Sequence, residues 1–295
     1  MLMNNQSDQA AGLRRIAASH PIRVMAVASG KGGVGKTNVS VNLAMALSAA
    51  GKEVMLLDAD LGLANVDVLL GLQPRYNLSH VIEGECALED IIIKGHAGLK
   101  IIPASSGISK MARLSEAEYG GLINAFSDIA HSLDVLIVDV AAGLAEGVTT
   151  FTRACQEIIV VVCDEPASIT DAYALIKVLS NEHGHHRFRV LANMAQTQRE
   201  GRALYEKLLR VTGRFLDVSL DYLGTIPYDE YLKKAVQKQR AVVDAYPGCR
   251  AAKAFKKVAE TADKWPIEGD VGGHLQFFFD RLVQRRGSAG MGAPA

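Results

Sequence analysis

The run Gly30-Lys31-Gly32-Gly33-Val34-Gly35-Lys36-Thr37 holds the residues best suited to chemistry in this chain. A glycine-rich loop closing on Gly-Lys-Thr suits a polyphosphate. The glycines let backbone N–H groups turn toward phosphate oxygens with no Cβ in the way. Lys36 is placed to reach β- and γ-phosphates, and the Thr37 hydroxyl to sit on Mg²⁺. Before the loop runs apolar Ile22–Ala28, a β-type stretch. After it runs Val39–Ala50, helical in composition, whose N-terminus adds positive partial charge at the phosphates. Strand, glycine loop and helix together predict an ATP site with Mg²⁺. A chance glycine turn would lack those flanks.

Two aspartate-bearing segments complete the set. Leu56-Leu-Asp-Ala-Asp60 leaves a second apolar run with two carboxylates, Asp58 and Asp60. The C-terminal end of a strand is where an open α/β sheet places its ligand. In Leu133-Asp-Val-Leu-Ile-Val-Asp139, four apolar residues end in Asp139, the arrangement in which a strand-terminal aspartate holds Mg²⁺. Gly143 follows, where a glycine lets backbone approach a γ-phosphate. Asn193 ends the run Val190-Leu-Ala-Asn and offers adenine both a donor and an acceptor. Capping a strand end is the alternative for that amide.

Elements must hold these residues together. Apolar runs recur at Glu53–Leu57, Leu99–Ile102, Asp134–Val138, Ile158–Val162, Arg189–Ala192 and Tyr222–Ile226. Most lack alternation, as strands buried on both faces do. Ser115–Ser132, Ser168–Leu179 and Gly201–Val211 have helical length and pattern. The order predicts an α/β fold: a doubly wound, mostly parallel sheet with helices on both faces. Residues 21–265 are read as one domain. Residues 1–20 precede it, and residues 266–295 follow as a linker, an amphipathic helix and a small-residue tail.

Composition narrows the class. Hydrophobic residues at 49% and charged residues at 22% supply a core and a soluble surface. A formal net charge of zero gives no global attraction to nucleic acid. Four cysteines without Cys-x-x-Cys spacing offer neither a zinc signature nor a disulfide framework, which fits a reducing cytoplasm. The polar N-terminus has no signal-peptide core, and no apolar run approaches the ~20 residues that span a bilayer.

Lys31, with the motifs above, makes the chain resemble the deviant Walker A ATPases of the MinD/ParA family, Lys-Gly-Gly-Val-Gly-Lys-Thr. The resemblance covers about residues 22–260. It implies a P-loop NTPase fold and an ATP-bound homodimer in which Lys31 reaches the partner's nucleotide. It implies that Asp60, within Asp-x-Asp-x-Gly-Leu-x-Asn-x-Asp67, positions the attacking water, and that Asp58 supports the Mg²⁺ shell with Thr37 and Asp139. It adds Pro227, Tyr228 and Asp229 to Asn193 as adenine-side residues. Two positions depart from the family. Val140-Ala141 replaces Ser-Pro or Thr-Gly after the aspartate, and Asn38 stands where a second threonine is common. Three stretches narrow the resemblance to the flagellar-number branch, called FlhG or FleN. They are Glu165–Lys177, Gly224–Leu232, and Asp8-Gln-Ala-Ala-Gly-Leu-Arg14. The last implies contact with the GTPase FlhF through Asp8, Gln9, Leu13 and Arg14. The branch also implies restraint of a flagellar transcription activator, FleQ. Positioning of division or DNA cargo by a MinD/ParA-like ATPase is the alternative. An interaction module with vestigial hydrolysis is a third class, and intact Lys36, Thr37, Asp60 and Asp139 argue against it. The iron protein sharing this loop needs a cysteine in its second switch, and Val140–Gly143 has none.

Three clusters remain. Around His274–Arg286, Leu275, Phe278, Phe279 and Leu282 share a helical face with arginines beside it. Such a helix can lie on a membrane, or its phenylalanines can dock on the protein's own surface. The first option predicts cytoplasmic protein that joins the inner membrane face in the ATP state. His183, His185 and His186 lack the partners of a metal site. The lysines from Lys233 to Lys257 read as solvated helix faces, so direct DNA binding is not expected.

Overall fold

A computed structural model of the chain describes residues 22–60, 65–103 and 132–266, with positions 121, 125, 126, 129, 278, 281 and 282. One eight-stranded sheet organises them. Its strands are β1 (Arg23–Ala28), β2 (Val54–Ala59), β3 (Ile93–Lys94), β4 (Lys100–Ile102), β5 (Val135–Val140), β6 (Glu157–Val162), β7 (Arg187–Ala195) and β8 (Ser219–Pro227). The spatial order is β3-β4-β2-β5-β1-β6-β7-β8. Every pairing is parallel except β3 with β4. The chain leaves β1 toward β2 on one side and later crosses from β5 to β6 on the other. The strand order therefore reverses beside β1, and the loop after β1 faces the crevice this creates.

The central strands are buried along their whole length, so alternate side chains feed two cores. Val24, Ala26 and Ala28 face one layer, and Met25 and Val27 the other. The second layer holds α1 (Lys36–Ala49), α2 (Asn65–Leu70), α8 (Glu230–Gln237), α9 (Val242–Ala245) and α10 (Arg250–Asp263). Helix α1 is buried on nearly every side, its small polar residues included, because it lies between the sheet and α10. The first layer holds α3 (Leu78–Ile82), α4 (Leu88–Ile91), α5 (Glu146–Ala154), α6 (Pro166–His183) and α7 (Gln198–Phe215). Pro166 opens α6 and left-handed Gly184 closes it.

The predicted strands are present within a few residues. The short antiparallel β3 has no periodicity to announce it. The predicted helix at 115–132 falls mostly outside the described residues, as do residues 7–18.

Candidate functional site

The loop between β1 and α1 builds the site from its backbone. Gly35 sits at φ +83°, so α1 starts directly at Lys36. A Cβ on Gly30 would meet the backbone of Asp171 at 2.1 Å, because α6 packs onto the loop's entrance. The Asn193 amide donates to the Val34 carbonyl at 2.8 Å, bracing the loop from β7. A cavity of about 580 Å³ lies over this loop, lined by Gly32, Gly33, Lys36, Thr37, Asp60 and Asn65 among others. That volume is in the range of small-molecule sites.

The carboxylates converge beneath it. Sheet register sets Asp58 of β2 directly beside Asp139 of β5, both fully buried. Lys36 Nζ donates to Asp139 Oδ1 at 2.8 Å, and Ser40 Oγ donates to the same oxygen at 2.7 Å. Asp139 Oδ2 is buried with no partner among the described residues. Asp58 accepts the N–H groups of Asp60 and Val66. Burial and the neighbouring Asp139 charge still push its carboxyl up to about 7. An orphaned carboxylate oxygen beside a carboxyl with so raised a pKa is short of positive charge. The donor set is all oxygen, as Mg²⁺ requires. Asp139, Asp58 and Thr37 therefore fit the ion.

Asp60 lines the cavity, where Asn65 Nδ2 donates to its Oδ2 at 3.3 Å. Lys31 lies at the cavity's edge and pairs with Glu165 at 2.5 Å, which holds its ammonium above the usual lysine range. Asn38 also lines the cavity, with Oδ1 buried and unpartnered among the described residues. In the second switch, the Gly143 N–H donates to Ser29 O, and Ala142 rather than Gly143 lines the cavity.

The expected adenine-side residues are placed differently from the phosphate residues. Asn193, Pro227, Tyr228 and Asp229 do not line this cavity; Met194, Val236 and Gln239 do. Asp229 caps two helices, accepting Tyr231 N–H at 3.0 Å and Ala251 N–H at 2.9 Å. Burial pushes its carboxyl up, but those hydrogen bonds leave it below the usual range. Ser40, Glu165 and Gln239 stand in no motif that assigns them a role in the site. Ser40 had a signal: it is a polar residue one turn beyond Lys36 on a helix that is otherwise mostly apolar.

The C-terminal apolar face is corrected in part. Phe278 and Leu282 are buried in the first core layer, with Phe278 6.5 Å from the Phe151 ring. They are covered by the body and are not on offer to a bilayer in this conformation. Burying them is worth about 1.5–3 kcal/mol each, enough to favour docking in water. Leu275 and Phe279 lie outside the described residues, as do Asp8, Gln9, Leu13 and Arg14. No helix among the described residues is long and apolar enough to cross a membrane. Lys234 and Lys238 stack on Tyr231 and Tyr246, as solvated helix faces do.

Comparison with known proteins places this geometry. Residues 21–262 match the family model "ParA: NUBPL iron-transfer P-loop NTPase". The chain is 60% identical to the antiactivator FleN of Pseudomonas aeruginosa over 92% of this chain and 97% of that protein. It is 34% identical to the flagellum site-determining protein YlxH of Helicobacter pylori, over 97% and 100%. The MinD cell division protein of Aquifex aeolicus superposes with a TM-score of 0.67 at 26% identity, over 84% of this chain and all of that one. MinD of Pyrococcus horikoshii, solved with Mg-ADP, gives 0.64 at 25%, over 82% and 96%.

Proposed function

Because this chain belongs to the ParA/MinD family of P-loop ATPases, on its FleN branch of flagellar regulators, we propose that it is an ATP-gated dimerisation switch. Its turnover of ATP sets how long a flagellar transcription activator of the FleQ type is restrained. The observation that carries this is the joining of 60% identity to an antiactivator with an intact buried cluster of Lys36, Ser40, Asp58 and Asp139.

The chain's own residues divide the work. Loop N–H groups and Lys36 bind the β- and γ-phosphates, for which Lys36 must leave Asp139. A doubly charged ion held by Thr37, Asp58 and Asp139 would neutralise phosphate charge. Asp60, restrained by Asn65, orients the attacking water. Lys31 leaves Glu165 and crosses to the partner's nucleotide. Asn193 with the Pro227–Asp229 turn serves the adenine side. The N-terminal residues Asp8, Gln9, Leu13 and Arg14 engage an FlhF-type GTPase. Release of the C-terminal helix would add peripheral contact with the inner membrane face.

Size-exclusion chromatography with ADP or a non-hydrolysable ATP analogue tests the switch. Wild type should dimerise only with the analogue. Lys31→Ala should bind nucleotide as a monomer and stay monomeric. Equal dimer in that variant would exclude the role given to Lys31.

A further inference from the structure

Helix α6 runs from the phosphate loop, where Glu165 meets Lys31, to a second cavity at its far end, about 27 Å away by helical rise. This cavity, about 510 Å³, is lined by Arg153, Glu182, His183, Gly184, His185 and Arg281. Arg153 Nη2 donates to the backbone oxygen of Arg281 at 2.9 Å. A ring nitrogen of His185 lies 3.3 Å from the Arg153 carbonyl oxygen.

Helices α5 and α6 both end here, and their C-terminal partial charges favour cations. That accounts for arginines at this place. It does not account for the roomy polar cavity between them, or for the buried Arg153 Nε–H that has no acceptor among the described residues. Among the described lining residues, two guanidiniums and two imidazoles face one carboxylate, Glu182.

We propose that this cavity is a binding site for a phosphate-bearing anion. The planar N–H fork of arginine matches phosphate oxygens, and two arginines line this one cavity. The volume leaves room for the group that carries the phosphate. Histidine protonation supports the same reading. Burial, with Arg153 beside it, lowers His183, and burial lowers His185 to about 4, with Arg281, His183 and His186 adding to the effect. A bound dianion would reverse part of that field. The phosphate can belong to a soluble metabolite or to an anionic lipid headgroup, which the arms below separate.

The test uses full-length protein saturated with Mg-ADP, so that the phosphate loop is filled. Inorganic phosphate and glycerol 3-phosphate are titrated while the imidazole C–H resonances of His183 and His185 are followed by NMR, with chloride at matched ionic strength as control. Both soluble anions should raise the two titration midpoints, and chloride should not. Arg153→Gln should weaken that binding about tenfold or more without changing ADP affinity. Arg281→Gln keeps the backbone carbonyl that Arg153 grips and should give the same loss if Arg153→Gln fails to fold. If soluble anions are silent, phosphatidylglycerol vesicles should bind wild type and not the arginine variants, with phosphatidylcholine vesicles binding neither. Resonances unmoved by phosphate, together with vesicle binding that both variants retain, would overturn the proposal.

Discussion

Lys36 is held in a buried ion pair while also being the residue best placed to bind phosphate. It is 7% exposed and its partner Asp139 not at all. Removing one member of such a pair leaves the other charge buried without compensation. Lys36→Ala should therefore abolish ATP affinity and also lower the stability of the nucleotide-free protein by about 3–5 kcal/mol, read by urea unfolding. Asp60 sits in the cavity without that structural burden. Asp60→Ala should leave ATP binding intact while turnover falls on the order of 10²–10⁴-fold. A phosphate-release assay checks this, and an unchanged rate would remove Asp60 from water positioning.

Loop and helix are built against each other at the element scale. Nothing larger than hydrogen fits at Gly30, because the obstacle is the backbone of α6. Gly30→Ala should displace the loop or the start of α6 and weaken ATP binding at least tenfold, as seen by fluorescent-nucleotide titration. Gly213→Ala, on α7 outside the cavity and with nothing within 4 Å of its Cβ, should leave ATP binding unchanged. At the other end of α6, His185 makes stability depend on pH. Its pKa is about 4 in the fold against an ordinary 6.5, so between those values the unfolded chain binds more protons. Stability present above pH 6.5 is lost as pH falls toward 4, by up to about 3 kcal/mol. Burial opposes its charge most, Arg281, His183 and His186 add to that, and the hydrogen bond to the Arg153 carbonyl offsets part of it. His185→Gln should flatten this part of the urea-denaturation pH profile.

For the whole molecule, the proposed function adds a partner contact at residues 8–14. Its test needs only the short segment and an FlhF-type GTPase. A peptide of residues 1–20 should raise the GTPase rate of an FlhF-type partner, and Gln9→Ala with Leu13→Ala should remove that effect. The same changes in the full chain should leave its own ATPase unaltered. Stimulation surviving both substitutions would place the contact elsewhere.

The order of strands and helices, the phosphate loop and the strand-end aspartates were legible in the sequence because each is a local pattern. Buried parallel strands print apolar runs, and a phosphate loop prints glycines followed by Lys-Thr, whatever lies around them. Other features follow from distant chain segments meeting. Lys31 finds Glu165 134 residues away, and Asn193 finds Val34 159 residues away. Register alone brings Asp58 beside Asp139, and burial together with that neighbouring charge raises its pKa. The amphipathic pattern at Phe278 and Leu282 could not choose between lipid and protein, because an apolar face records only that it must be covered. Tertiary structure decided what covers it: the core beside Phe151, where burial of both side chains removes the same apolar area from water that a membrane would.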